Sequence, residues 1–414
     1  MSKANGTIEK KDTYLQHVSL KNYKSIKDAE IDFKPGLNII IGKNASGKTN
    51  FIDGLDKILA YEYNEILASE FAISAYFKNN YVTIQKLSKT PTSWEFVNSN
   101  HHGLLKKIDI VMEVNGELII DNETNYNKYY PPVYALSDRG LYFEKIIIEY
   151  GISYNSSSQF VSLPFSFEVI DKGKISTSLI YFIMSDNHSK FTNSFFDGLY
   201  KFLSEIDSKD HNLPTAFAEL KHKVIMFSEQ YFENINPLIS YYSPIKAIRL
   251  NTDFNIVTDE ENLKQTINNF YIEFLIDQSW LPFAMLSDGT KRLFYIISEI
   301  LANYDSRNSQ LSELNIVLLE EPELGIHPHQ LHLLMLFIKE QSRYKQIILT
   351  THSPQVLDII DSDELDRVII CHYDSKNGTQ LRHLSKKEMS KAKKYMTEEA
   401  FLSDYWRFSD LEPA

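Results

Sequence analysis

Gly42-Lys43-Asn44-Ala45-Ser46-Gly47-Lys48-Thr49 (GKNASGKT) follows directly on the mostly apolar run Leu37-Asn38-Ile39-Ile40-Ile41. The stretch matches G-x-x-x-x-G-K-[ST] in full. Its glycines let successive backbone N–H groups curl around a phosphate, and a following helix adds its positive end. Such a helix is readable from Thr49 to Leu59, where Phe51, Ile52, Leu55, Ile58 and Leu59 have helical spacing. Strand, loop and helix therefore come in the order a phosphate loop requires. On this reading Lys48 neutralises phosphate oxygens and Thr49 offers its hydroxyl to Mg²⁺. The plainer alternative is a glycine turn between a strand and a helix, and the two flanking elements weigh against it.

A phosphate loop needs an acidic strand end to hold the metal and orient water. Ile316-Val317-Leu318-Leu319-Glu320-Glu321-Pro322 supplies one, with Glu320 toward Mg²⁺ and Glu321 polarising the attacking water. Leu286-Ser287-Asp288-Gly289-Thr290 opens a helix whose exposed N–H groups and serine hydroxyl can hold an anion, although such a string is usually a plain helix cap. Leu293, Ile296, Ile297, Ile300 and Leu301 lie on one face of that helix. Ile347-Ile348-Leu349-Thr350-Thr351-His352-Ser353-Pro354 then places a histidine just past a strand. One such string alone says little; four in one order are improbable by chance.

Further out, Tyr14 to Phe33 reads as an antiparallel pair joined near Lys24, with Leu15, Val18, Leu20, Ala29, Ile31 and Phe33 apolar. Pro35-Gly36 is a turn. Between Ala60 and Leu281, strand-like pieces (Tyr81 to Gln85, Lys107 to Met112, Leu118 to Asp121) mix with aromatic helical stretches such as Phe191 to Phe202. The alternation of strands and helices around the motifs implies an α/β core with a largely parallel sheet.

The 414 residues suffice for a large core or two domains, and 43% hydrophobic with 24% charged residues is ordinary for a globular chain. One cysteine, Cys371, excludes an internal disulfide framework and fits a reducing compartment. Met1 to Thr13 lacks the apolar stretch of a signal peptide, and Ser178 to Met184 is too short to span a bilayer, so a cytoplasmic protein without membrane contact is expected. A net charge of −12 argues against a broad duplex-binding surface. The basic clusters at Lys21 to Lys27, Lys221 to Lys223 and Lys386 to Lys394 read as solvated faces. The 25 Tyr and 25 Phe read as core and interface material.

The strings VSLKNYKSI, LNIIIGKNASGKTN (ending at Asn50), LSDGTKRL, IVLLEEPELGIHP and ILTTHSPQVLD occur in the order found in ABC ATPases. The chain resembles their RecF/SMC-like and OLD-like branch, especially the compact AAA-type proteins of bacterial phage-defence operons. The resemblance covers roughly the first sixty and the last hundred and thirty residues. It implies an ABC-type ATPase head, a P-loop core with a largely parallel sheet and N-terminal antiparallel strands, carrying a large mixed α+β insertion. The halves of the core would be residues 1–60 and 282–414, and the insertion 61–281, partly core sheet and partly helical. It also implies that two heads sandwich ATP and Mg²⁺, with Ser287 and Gly289 reaching the neighbour's nucleotide. Gly42 through Asn50 would complete the cofactor contacts, and Asn22 to Ser25 would lie near the nucleotide, with Lys24 where the family often has arginine. Glu323 to His327 would form the loop between heads, and His352 would sense the γ-phosphate. Glu320 stands where the wider class has aspartate. The candidates for the glutamine loop are Gln85 and Gln159.

Residues 353–414 are shorter than the roughly 100 residues of an ordinary domain, so no attached nuclease is expected. The acids Asp361, Asp363, Glu364 and Asp366 read as a solvated loop before a strand at Arg367 to Cys371. A homodimer or higher oligomer controlling a separate nuclease or toxin follows from the resemblance, with DNA or a phage component as a further possible partner. A DNA-repair or DNA-end-binding ATPase is the alternative, and an ATP-bound scaffold or antitoxin module the third. The segment Phe401 to Phe408 offers either exposed anchors for a partner or a terminal helix packed on the core.

Overall fold

Leu37–Ile41 is buried along its whole length, including Asn38. The Asn38 amide is satisfied locally. It accepts the Lys34 N–H at 2.8 Å and donates to the Lys34 and Gly36 carbonyls at 2.8 and 3.3 Å. These bonds close the Pro35–Gly36 turn, where Gly36 takes a φ of 88° that glycine adopts at little cost.

The computed structural model describes residues 13–60, 70–77, 80–86, 93–96, 104–107, 110–120, 141–148, 165–170, 174–175, 191, 194–195, 198–199, 202, 213–259, 264–301, 312–398 and 401–409. Its strands are β1 (Thr13–Tyr23), β2 (Ile26–Asp32), β3 (Leu37–Ile41), β4 (Glu70–Phe77), β5 (Asn80–Lys86), β6 (Ser93–Phe96), β7 (Leu104–Lys107), β8 (Ile110–Val114), β9 (Glu117–Ile120) and β10 (Leu141–Ile148). There follow β11 (Phe165–Ile170), β12 (Lys174–Ile175), β13 (Ala247–Leu250), β14 (Asn255–Asp259), β15 (Lys264–Phe270), β16 (Ile272–Ile276) and β17 (Ser279–Pro282). The last are β18 (Ser312–Glu320), β19 (Gln346–Thr351), β20 (Val368–Asp374) and β21 (Gly378–His383). The helices used below are α1 (Lys48–Leu59), α2 (Leu213–Tyr242), α3 (Asp288–Leu301), α4 (Pro328–Gln341), α5 (Lys386–Glu398) and α6 (Leu402–Phe408).

Two compact units divide the chain: Met1–Glu149 with Ser306–Glu323 and Ile338–Ala414, and Tyr150–Asp305 with Leu324–Phe337. The border near residue 149 falls inside the expected insertion, because β4, β5, β8, β9 and β10 pair into the large sheet of the first unit. Among the described residues that sheet has the order β10-β18-β19-β3-β20-β21-β2-β1-β4-β5-β8-β9. The run from β10 to β20 is parallel and everything beyond β20 is antiparallel. β1 and β2 form the expected pair. The three-residue step from Leu15 to Val18 in β1 marks a bulge between Leu15 and His17. α1 buries Phe51, Ile52, Leu55, Ile58 and Leu59, the apolar face its spacing foretold.

The strand expected over Lys107 to Met112 is two strands, β7 and β8, with β8 joined to β9 by Asn115-Gly116. Both turn residues have positive φ, 54° and 78°, as a tight hairpin of this kind demands. Gln85 is an ordinary member of β5, opposite Val111 and Ala72, while Gln159 and Ser178 to Met184 lie outside the described residues. Within Phe401 to Phe408, the helix Leu402–Phe408 packs through one face, while Phe401 and Arg407 are exposed. Leu402, Ser403 and Trp406 are buried, and Ser403 donates twice to Asp358 at 3.0 Å. Asp361 and Glu364 pair with Lys339 at 2.6 and 3.0 Å, in keeping with a structural loop.

The second unit holds the sheets β13-β16-β17 and β12-β11-β15-β14. Its interior is aromatic: Phe195 packs within 5.1–5.6 Å of Phe227, Tyr231 and Phe232 of α2, and Phe294 of α3 meets Phe274 edge-on at 4.8 Å. No helix among the described residues is long and apolar enough to cross a membrane.

Candidate nucleotide site

β18, β19 and β3 are neighbouring parallel strands whose carboxyl ends are level. Glu320 stands opposite Thr350, and Thr351 opposite Ile41. In open α/β sheets ligands bind beyond such ends. GKNASGKT leaves β3 here, with the Gly42 N–H bonded to the Thr351 carbonyl at 3.3 Å. The backbone then turns through two left-handed residues, Ala45 (φ 63°) and Gly47 (φ 102°). A Cβ on Gly42 would lie 2.0 Å from the Cys371 carbonyl, and one on Gly47 1.9 Å from Thr379 Oγ1, so both positions require glycine. Gly47 caps α1 without a side-chain acceptor, which leaves the first N–H groups of the helix available to an anion.

Lys43, Asn44 and Ala45 form the exposed crest of the loop. Lys48 is only 5% exposed and folds back, donating to the Gly42 and Lys43 carbonyls at 2.8 and 3.0 Å. Thr49 Oγ1 donates to Glu320 Oε1, joining the two groups expected at the metal. Asn50 turns away from the crest and donates to Ser25 Oγ at 2.7 Å.

Glu321 follows with a φ of 43°, its N–H bonded to the Thr350 carbonyl at 2.9 Å. A non-glycine residue held there costs of order 1 kcal/mol, and such strain concentrates at working sites. His352 Nδ1 lies 3.4 Å from both Glu321 Oε1 and Glu323 Oε1, within ion-pair reach but without hydrogen-bond geometry. Glu323 holds this corner together. Its Oε1 accepts Thr351 Oγ1 at 2.5 Å and the His352 N–H at 3.1 Å.

Among the described residues, the buried polar atoms lacking a hydrogen-bond partner include Ser46 Oγ, Thr350 Oγ1, Glu323 Oε2 and His352 Nδ1. All four surround the ends of β3, β18 and β19. Buried polar atoms without a hydrogen-bond partner can accept one from a polar ligand. Hydroxyls, an ammonium, free N–H groups and a carboxylate pair fit a phosphate chain with a hard cation.

Lys24, at φ 49°, lies on the β1–β2 turn and reaches Asp53 of α1 at 2.7 Å, with Tyr23 OH donating to the same carboxylate. Burial pushes the Asp53 carboxyl up, but bonds from Lys24 and Tyr23 outweigh it and hold the group below its ordinary range. Ser287 and Gly289 belong to the second unit. Ser287 Oγ caps α3 by accepting the Thr290 N–H at 3.2 Å, and Gly289 is packed so that a Cβ would stand 2.6 Å from the Gly325 carbonyl. The sequence places Glu323 only in a loop between heads and Ser25 only in a turn near the nucleotide, and gives no role at the site to Asp53, Cys371 or Thr379. The third acid of Glu320-Glu321-Pro322-Glu323 was a usable signal for the first; the others carry none locally.

A family model described as "AAA domain, putative AbiEii toxin, Type IV TA system" matches residues 37–358, well over half of the chain. The DNA replication and repair protein RecF of Streptococcus agalactiae serotype Ia is 48% identical over 42 residues, 10% of this chain and 11% of RecF. RecF of Streptococcus pneumoniae is 48% identical over 42 residues, 10% and 12% of the two chains. The chain thus spans about a tenth of the length of these curated relatives. Among solved structures, an Smc head bound to the C-winged helix domain of ScpA is 14% identical, with a TM-score of 0.48 over 91% of this chain and 99% of that one. The SMC head domain from Thermotoga maritima is 13% identical, with a TM-score of 0.44 over 90% and 99%. The chain belongs to this family of AAA domains.

Proposed function

We propose that the chain binds and slowly hydrolyses ATP, and that ATP-driven pairing of two copies works as a switch on a separate nuclease or toxin in anti-phage defence. The observation that carries the nucleotide reading is the glycine loop between β3 and α1, which buries Lys48 and brings Thr49 to Glu320 at the carboxyl ends of the parallel strands. Lys48 and the N–H groups of the loop bind the phosphates. Thr49 and Glu320 would hold Mg²⁺, which supplies positive charge against the terminal phosphate oxygens. Glu321 takes the proton of the attacking water, and His352, oriented by Glu323, faces the terminal phosphate. Ser287 is 287-to-290 capped in its own chain and exposed, so its helix end is presented for a neighbour's nucleotide. Mixing Ser287→Arg protein with Lys48→Ala protein leaves one of two composite sites intact and restores part of the ATPase rate. Failure to restore it in confirmed mixed dimers refutes the trans arrangement.

A second reading, a DNA-associated ATPase of the RecF/SMC kind, draws support from α5. Lys386, Lys387, Lys391, Lys393 and Lys394 are exposed, while Ala392 is buried on the opposite side. A run of exposed lysines suits a phosphate backbone, although Lys394 also lies 3.8 Å from Glu398. Such binding would weaken steeply with salt. Loss of DNA binding in Lys387→Glu/Lys391→Glu/Lys394→Glu protein favours this reading, and no salt-sensitive DNA binding by the unsubstituted chain refutes it.

A further inference from the structure

Four side chains or carbonyls from four separate elements form one line of hydrogen bonds behind the phosphate loop. Asn50 Nδ2 of α1 bonds to Ser25 Oγ of the β1–β2 turn at 2.7 Å. Ser25 Oγ lies 2.7 Å from Thr379 Oγ1 of β21, and Thr379 Oγ1 lies 3.0 Å from the Ser46 carbonyl. The direction of every bond is forced. A carbonyl only accepts, so the one Thr379 hydroxyl proton goes to Ser46; Ser25 must then donate to Thr379, and Ser25 Oγ accepts the Asn50 amide. Bonds in such a run polarise one another.

The place where the line ends matters more than its length. The Ser46–Gly47 peptide is planar and trans, so fixing the Ser46 carbonyl toward Thr379 turns the Gly47 N–H the opposite way, into the loop. Gly47, at φ 102°, is a residue whose peptide plane has little intrinsic reason to keep one orientation. Reversed, that plane would aim a carbonyl oxygen at the phosphates. Thr379 is fully buried, and a second weak donor, Cys371 Sγ, reaches the same carbonyl at 3.5 Å. β21 itself is held to the turn by the Thr379 N–H, bonded to the Ser25 carbonyl at 2.9 Å.

We infer that Thr379, with Ser25 behind it, is a positioning residue that pins the Ser46–Gly47 peptide so that its N–H faces the phosphate chain. The inference rests on the nucleotide reading of the site. Thr379→Val keeps the shape and removes the hydroxyl; Thr379→Ser keeps the hydroxyl. Titrations with ATP and with inorganic pyrophosphate, both with Mg²⁺, should show about tenfold weaker binding of each by Thr379→Val, the worth of one well-placed hydrogen bond. Thr379→Ser should bind within about twofold of the unsubstituted chain, since it restores that bond. An equal loss for pyrophosphate, which has no base or sugar, places the defect at the phosphates, and an unfolding temperature of Thr379→Val close to that of the unsubstituted chain separates it from a general loosening of the fold. Unchanged binding by Thr379→Val overturns the inference, as does Thr379→Ser binding as weakly as Thr379→Val. Should Thr379→Val fail to fold, Ser25→Ala decides: a roughly threefold loss for both ligands is expected from a relayed bond, and no loss overturns the inference. If the unsubstituted chain binds neither ligand, the nucleotide reading itself falls, and this inference with it.

Discussion

Replacing Lys48 by alanine takes away the only buried ammonium of the phosphate loop, and the size of the effect follows from where that group sits. The side chain is 5% exposed, and Nζ already spans the loop between two carbonyl oxygens at 2.8 and 3.0 Å. A bound phosphate would therefore meet a cation that is desolvated and held in place. Opposite charges about 4 Å apart interact by about 4 kcal/mol at an effective dielectric constant of about 20. At about 1.4 kcal/mol per factor of ten, ATP affinity should fall by about a thousandfold. Stability should move much less, because the lost bonds to Gly42 and Lys43 are offset by the relieved burial of a charge. Isothermal titration with Mg·ATP beside thermal unfolding separates the two effects. Lys48→Arg, which keeps the charge but brings a wider planar head, should fall between the two proteins. An ATP affinity within threefold of the unsubstituted value in a folded Lys48→Ala protein would refute the reasoning, and with it the assignment of Gly42 to Thr49.

Glu323→Gln keeps an acceptor for Thr351 and the His352 N–H but removes the charge facing the imidazole, so kcat should fall about tenfold with KM nearly unchanged, as expected for loss of a group acting in the transition state. Gly289→Ala forces a Cβ to within 2.6 Å of the Gly325 carbonyl, and the backbone must shift; ATPase activity should drop while nucleotide binding by the isolated chain, measured by titration, persists. Acidification should loosen α5. Burial pushes the Glu388 carboxyl up, yet Arg382 at 3.0 and 3.1 Å and the Ser385 cap outweigh it and lower it. A depressed carboxyl stabilises the fold above its unfolded pKa, and that contribution disappears as pH falls through the lower folded one. Hydrogen exchange in Lys386–Glu398 should therefore accelerate below about pH 4, and Glu388→Gln should show the fast rate at neutral pH.

The parts of the site written in consecutive residues were legible: the apolar strand, the glycine loop, the helix after it and the acid pair closing a buried strand all obey short-range rules. Even the plain reading of Ser287, a helix cap, holds in the structure, because a serine before an amphipathic run has local work to do. What stayed hidden depends on which strands lie side by side. Nothing near Thr379 or Cys371 announces that β20 and β21 back onto the loop, some 330 residues earlier in the chain. Residues 61–281 read as partly core sheet, but which strands join it stayed hidden, because short alternating strands look alike wherever they pair and the order β1-β4-β5-β8 is set by tertiary contacts. Asn115-Gly116 was a local signal that went unused; it marks the β8–β9 hairpin by the usual chemistry of left-handed turn residues. In Phe401 to Phe408, composition alone could not tell an anchor from a packed helix. Burial of Trp406 and the Ser403–Asp358 bonds show one face packed, with Phe401 and Arg407 exposed.

The central claim is that ATP held at this loop draws two heads together and that Glu321 ends that state by hydrolysis. Sedimentation velocity of Glu321→Gln protein, with and without Mg·ATP, tests it most directly. The account predicts a shift from the nucleotide-free species to a dimer of heads carrying two ATP molecules, stable because the base is missing, and no shift when Ser287→Arg is added. A Glu321→Gln protein that binds ATP with full occupancy yet sediments unchanged would contradict it.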